Sequence, residues 1–114
     1  MSQQEDQERA EPHLFVVTED IDASNAWQLK PRLLEHMGKY GPELKLDLGQ
    51  VNFIDSTGLG VLIGALKKVR EQNGRIVLIC TNPQIKKIFN ITGLIKIFEI
   101  FKDEEEATRS FKAA

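Results

Sequence analysis

A single cysteine among 114 residues rules out an internal disulfide, so packing and hydrogen bonding must hold this chain together. Cys80 lies in an apolar run and reads as a small buried hydrophobe rather than a reactive thiol; a reducing, cytoplasmic setting is the expectation. Long apolar stretches are also missing. The longest, Gly58 to Leu66, falls far short of the ~20 residues of a membrane span, and no basic-then-apolar leader opens the chain, so neither membrane insertion nor export is expected. Fifteen basic residues stand against seventeen acidic ones, a net charge of −2, which excludes the strongly basic surface of a nucleic-acid binder. Lys67, Lys68 and Arg70 read as a solvated helix face. His13 and His36 have no Cys or acid at ligand spacing, so no metal site and no cofactor is expected. Catalytic motifs are equally scarce. A Walker loop needs Lys-Ser or Lys-Thr after its second glycine, but Ala65 follows Gly64; Ile63 stands where a dinucleotide fingerprint needs glycine. Ile54 occupies the first glycine position of a nucleophile elbow around Ser56.

What is present alternates between two periodicities. Residues 1–12 are polar and acidic (Glu5, Asp6, Glu8, Glu11) and read as a solvated or weakly ordered arm ahead of one domain over 13–114. Leu14 to Thr18 is rich in β-formers. A turn crowded with Asp20, Asp22, Ser24 and Asn25 follows, the last two both able to cap a helix carrying Ala26, Leu29, Leu33, Leu34 and Met37. Pro31 lies inside that pattern, so the helix either begins nearer Lys30 or tolerates a kink; Gly38 or Gly41 ends it. Trp27 beside the stripe is expected to be partly in the core or packed at its edge. Leu44 to Leu48 alternates as a strand. Leu59, Leu62, Ile63, Leu66 and Val69 have helical spacing, with Ser56 at the helix start, capping free N–H groups near the positive end of the dipole. Asn73-Gly74 stops that helix. Ile76 to Cys80 runs apolar, as a strand covered on both faces does. Asn82-Pro83 starts a helix with Ile85, Ile88 and Phe89 inward and Gly93 beyond its end. Ile97 to Phe101 is a last strand. Asp103 and Glu104 to Glu106 open a last helix, with Ala107 and Phe111 on one side. This alternation predicts an α/β fold with parallel central strand pairs joined by right-handed crossovers.

The segment Asp55-Ser56-Thr57-Gly58-Leu59-Gly60, after Leu46-Asp47-Leu48 and Val51-Asn52-Phe53-Ile54, resembles the signature of the STAS domain, and of the bacterial anti-sigma factor antagonists in particular. Thr18-Glu19-Asp20-Ile21-Asp22 resembles the family's Thr-Gly-Glu-Leu/Ile-Asp segment, with Glu19-Asp20 in place of Gly-Glu. Asn90-Ile91-Thr92-Gly93-Leu94 resembles the end of its third helix. The likeness covers roughly residues 13 to 111. It implies a small mixed β-sheet flanked by helices. Family members usually open with a β-strand, which the polar arm lacks in apolar character; a shortened sheet edge or a polar edge strand would follow.

The resemblance also implies a role. Such proteins, unphosphorylated, bind an anti-sigma factor that is also a serine kinase, and so release a sigma factor. The kinase uses ATP to phosphorylate the motif serine, here Ser56 with Thr57 as the lesser candidate, and a PP2C-type phosphatase reverses this. The chain would be a substrate and binding module, not an enzyme. Asp22 would lie near Ser56 and meet a basic group on the kinase. Asp55, Thr57, Gly58, Leu59 and Gly60 would shape the docking loop, with Thr92 and Gly93 bordering the same surface. Two rivals are a STAS scaffold or sensor never phosphorylated at Ser56, for example in a signalling complex or lipid-transport system, and a nucleotide-binding or hydrolysing protein, which the missing phosphate-loop lysine disfavours.

Overall fold

Residues 12–113 are described by a computed structural model; the acidic arm, apart from Pro12, lies outside them. Four strands alternate with helices: β1 (His13–Val16), α1 (Ala26–Tyr40), β2 (Glu43–Asp47), α2 (Ser56–Glu71), β3 (Arg75–Ile79), α3 (Pro83–Ile91), a 3-10 turn (Leu94–Lys96), β4 (Glu99–Phe101) and α4 (Glu104–Ala113). The sheet order is β1-β2-β3-β4, and every pair is parallel. One row of the register runs Phe15, Leu46, Leu78, Ile100. The sheet is flanked by helices, as expected for an α/β fold. The antiparallel pair that a mixed sheet needs does not occur among the described residues.

Side chains alternate across the sheet with a period of two, and the two faces carry separate cores. Phe15, Leu44, Leu46, Ile76 and Leu78 join Leu29, Leu33, Leu62, Leu66, Val69, Ile85 and Phe89 in the main core, so α1, α2 and α3 share one face. Successive right-handed crossovers in a sequentially ordered sheet require this placement. On the other face Val77 and Ile79 pack with Ala107, Phe101 and Phe111, which seats α4. Lys45 also points there; its side chain is buried, and Nζ donates to Glu104 Oε2 at 2.8 Å and Thr108 Oγ1 at 3.0 Å. A buried ammonium left without such partners would be costly. Cys80 is buried, and that burial pushes its thiol above the ordinary 9.0.

Several local expectations are corrected. Of the two alternatives for α1, the start near Lys30 does not hold: the helix runs from Ala26 and tolerates Pro31 as its sixth residue, without the N–H that would bond the Trp27 carbonyl, and it ends at Gly41 in the left-handed region (φ 98°). Leu34 and Trp27 are exposed, Trp27 by 68%, and the Trp27 indole Nε1–H donates to the Ser24 carbonyl at 3.0 Å, outside the core. Ile97 is exposed and precedes β4: it caps the 3-10 turn, its N–H bonded to Leu94 O, and the strand begins only at Glu99. Asn73, not Gly74, takes the left-handed conformation (φ 61°) after α2. Gly74 is required for a different reason: a Cβ there would fall on the Pro42 carbonyl. Gly74→Ala should therefore destabilise the fold by about 1–3 kcal/mol, the usual cost of overpacking, and a urea melt would read this as a lower midpoint with an unchanged slope.

Candidate functional site

At the C-terminal ends of β1 and β2 the chain builds a junction around Asp55. Asp55, rather than Ser56, is the N-cap of α2: its Oδ1 accepts the Gly58 N–H at 2.9 Å, and its carbonyl accepts the Leu59 N–H at 2.9 Å. The second carboxylate oxygen, Oδ2, accepts the Ala23 N–H at 3.0 Å. One carboxylate thus ties the turn after β1 to the start of α2, across 32 residues of sequence. The backbone reinforces the junction. Ile21 N–H donates to Phe53 O and Asp55 N–H to Ile21 O, both at 3.0 Å, around a parallel bridge between Ile21 and Ile54. Asp20 adds a further brace, its Oδ1 accepting the N–H groups of Asn52 (2.7 Å) and Phe53 (3.3 Å).

Ser56 and Thr57 are the first two residues of α2, and both side chains are exposed. The first N–H groups of a helix have no intrahelical partner and carry the positive end of its dipole, so an anion added to the Ser56 hydroxyl would meet favourable backbone and unfavourable carboxylate together. Gly58 is buried, and a Cβ there would come within 2.7 Å of Ile21 Cγ2 and 2.9 Å of Ile54 Cγ2; glycine is what lets the junction close. Leu59 is buried and anchors α2 in the core. Gly60 is exposed with open space around it, so nothing within the chain demands glycine there. Thr57, Gly58 and Gly60 belong to the helix and not to a loop.

Asp22 sits in the turn that Asp55 grips. Its Oδ1 accepts the Ser24 hydroxyl at 2.5 Å and the Ser24 N–H at 2.9 Å, and these bonds, the hydroxyl foremost, hold its carboxyl below the ordinary 3.8. Its backbone N–H donates to Asn25 Oδ1 at 2.9 Å, and its carbonyl receives Ala26 N–H, which opens α1. Two aromatics near this junction are surface features that no local pattern in the sequence marks: Phe53, half exposed next to Ile54, and Trp27 on the Ser24 carbonyl. Asn82 caps α3 as its position before Pro83 predicts, its Oδ1 accepting the Gln84 N–H at 2.9 Å; its Nδ2 also donates to Asn52 Oδ1 at 3.1 Å, placing the α3 start at the same end of the sheet.

Thr92 and Gly93 are not brought to this junction. α3 runs away from it, and both residues close its far end: Thr92 Oγ1 donates to Ile88 O at 2.8 Å, and Gly93 is left-handed (φ 78°). α2 runs the same way. Arg70, which donates to Ile97 O at 3.4 Å beyond Gly93, is fourteen residues past Ser56, ~21 Å along a helix.

With this geometry in view, the chain belongs to the STAS domain family, whose model matches residues 4–107. Among its relatives, the anti-sigma-B factor antagonist of Listeria monocytogenes is 39% identical over 100 residues, covering 87% of this chain and 88% of that protein. The anti-sigma-B factor antagonist of Bacillus subtilis is 35% identical over 86 residues, covering 75% and 78%. The solved structure of an anti-sigma factor antagonist from Mycobacterium paratuberculosis superposes with a TM-score of 0.77 at 24% identity, over 87% of this chain and 84% of that one. The phosphorylated form of the Bacillus cell fate determinant SpoIIAA does so with a TM-score of 0.66 at 20% identity, over 89% and 92%. At such identities these structures bear on the fold.

Two outcomes are expected at the junction. Asp55→Ala removes the α2 cap and the Ala23 tether, and should lower unfolding free energy by about 1–2 kcal/mol in a denaturant melt. Because the folded pKa of Asp22 is depressed, its contribution is present above the ordinary 3.8 and lost as pH falls through the folded value. The wild-type Tm advantage over Asp22→Asn should therefore shrink below pH 3.8; an advantage that grows toward lower pH would contradict the assignment.

Proposed function

We propose that this chain is an anti-sigma factor antagonist whose binding surface is the Asp55 junction and whose switch is phosphorylation of Ser56. The observation that carries the proposal is an exposed serine hydroxyl at the first position of α2, rooted on a rigid clamp and next to a carboxylate. The names of the relatives supply the kind of partner. In this reading the chain acts as a substrate and binding module rather than as a catalyst, in the cytoplasm. Its partners are an anti-sigma factor that is also an ATP-dependent serine kinase, and a PP2C-type phosphatase that restores the hydroxyl.

Physics makes such a switch economical. A phosphate brings about −1.5 to −2 charges and three acceptor oxygens, and the helix start can hold it while the Asp55 clamp keeps its bonds. The fold therefore survives, and the cost falls on a partner packed over the same spot. A loss of ~3 kcal/mol of complementarity weakens binding roughly 150-fold. Asp22 would face a basic group of the kinase, and Gly60, with no neighbour of its own, would admit the partner's backbone. Phe53 and Trp27 would serve as aromatic anchors beside the serine, since aromatics dominate interface energetics. Thr92 and Gly93, at the other end of α3, would then act by shaping that end and not by touching this partner.

Intact-mass and peptide mapping of the protein from its own cells, stressed and unstressed, tests the switch. A gain of ~80 Da on Ser56 that changes with stress is the expected result. The phosphorylated protein should bind the anti-sigma factor ~100-fold more weakly in titration calorimetry while keeping its circular dichroism spectrum. The same gain on Thr57 would move the site by one residue. No phosphate under any condition would favour a scaffold role.

A further inference from the structure

The end of the fold opposite Ser56 carries a second exposed surface of different chemistry. α3 turns at Gly93 into the 3-10 segment, and the residues on either side of that turn include three exposed isoleucines: Ile91 (73%), Ile95 (39%) and Ile97 (38%). Bases surround them. Lys87 lies one helical turn before Ile91, on the same face of α3. Lys96 stands between Ile95 and Ile97, and Arg70 reaches the corner from α2 through its bond to Ile97 O. None of these three bases is in an ion pair among the described residues. The whole stretch from Gln72 to Phe98 contains no Asp or Glu. The nearest acid further along, Glu99, is engaged by Arg75 through two bonds of 2.8 Å.

Exposed isoleucine at a solvated turn gains nothing from water, and, although Arg70 ties α2 to the turn and is followed by Glu71, Lys87 and Lys96 have no ion-pair partner among the described residues. We propose that this corner is a second docking surface, for a protein segment that presents acidic side chains around an apolar centre. Charge complementarity sets the sign of that partner, and the isoleucines set its apolar core. Arg70 is ~21 Å along α2 from Ser56, beyond two Debye lengths at physiological salt, and Ile91, Lys96 and Ile97 follow the end of α3 that points away from Asn82. Binding here is therefore independent of the phosphorylation state, and the domain can hold one partner while exchanging another. The inference does not rest on the proposed role of Ser56.

The test places the photo-crosslinker p-benzoylphenylalanine at Ile91 in the full chain, in its native cells, in wild-type, Ser56→Ala and Ser56→Asp backgrounds. Irradiated adducts are mapped by mass spectrometry, and the crosslinked segment is then made as a synthetic peptide for titration. The expected result is an adduct with a protein segment bearing acidic and apolar residues, equal in all three backgrounds. The peptide should lose roughly tenfold or more in affinity for Lys87→Glu/Lys96→Glu and for Ile91→Asp, with the wild-type affinity falling as salt rises. All three positions are exposed, and circular dichroism confirms that the variants are folded. A lipid adduct, no adduct, a segment without acids, or an affinity unmoved by charge reversal would each overturn the proposal. An adduct lost in Ser56→Asp would also overturn it, by assigning this surface to the phosphorylation-dependent partner.

Discussion

The Asp55 carboxylate is the constraint on which the Ser56 end of this domain depends. A cap residue normally satisfies N–H groups of its own helix; here one oxygen does that for Gly58 while the other holds the Ala23 N–H of a distant turn. The same side chain therefore sets where α2 begins and where the segment after β1 lies. Ser56 follows with no freedom to retreat into the fold, since the next residues are committed to the helix. Gly58 makes the arrangement sterically feasible, because Ile21 and Ile54 occupy the space its side chain would need.

This coupling explains how a modification could alter binding without remodelling the protein. The clamp uses the carboxylate and backbone of Asp55, the brace uses the Asp20 carboxylate, and the Ser56 hydroxyl takes part in neither. A group added to that hydroxyl changes the charge and shape of the surface while every bond that positions it persists. Behind it, α2 is anchored by Leu59, Leu62, Leu66 and Val69 in the main core, so the helix start is held by packing as well as by its cap. A rigid platform with an exposed, modifiable atom suits a reversible contact better than a flexible loop, which would lose ordering entropy at each encounter.

The domain is also polar in the sense of its architecture. All crossover helices run opposite to the parallel strands, so the starts of α2 and α3 lie together at one end and their finishes at the other. Acidic turn residues (Asp20, Asp22, Asp55) collect at the first end. Arg70, Lys96 and Ile91 lie at the second, together with Glu43 and Glu71. The separation follows from helix direction and length alone.

How much of this was legible beforehand depends on the range of the interaction concerned. The alternation of strand and helix periods, the Asn82-Pro83 start, the glycine past α3 and the acidic opening of α4 all rest on contacts within a few residues, and the amino-acid order was enough to place them. So was the motif that identified the family and singled out Ser56. Chain order could not say that Asp55 rather than Ser56 caps α2, because either residue type suits that position and the choice is made by the Ala23 N–H, 32 residues away. Nor could it say that Trp27 is exposed, since burial depends on which other elements pack over the start of α1. The family resemblance groups Thr92 and Gly93 with Ser56; only the direction of α3 shows that they close the opposite end. Local chemistry was determined by the sequence itself, whereas which groups share a surface was decided by tertiary structure, because packing rather than spacing sets which distant backbone donors and side chains meet.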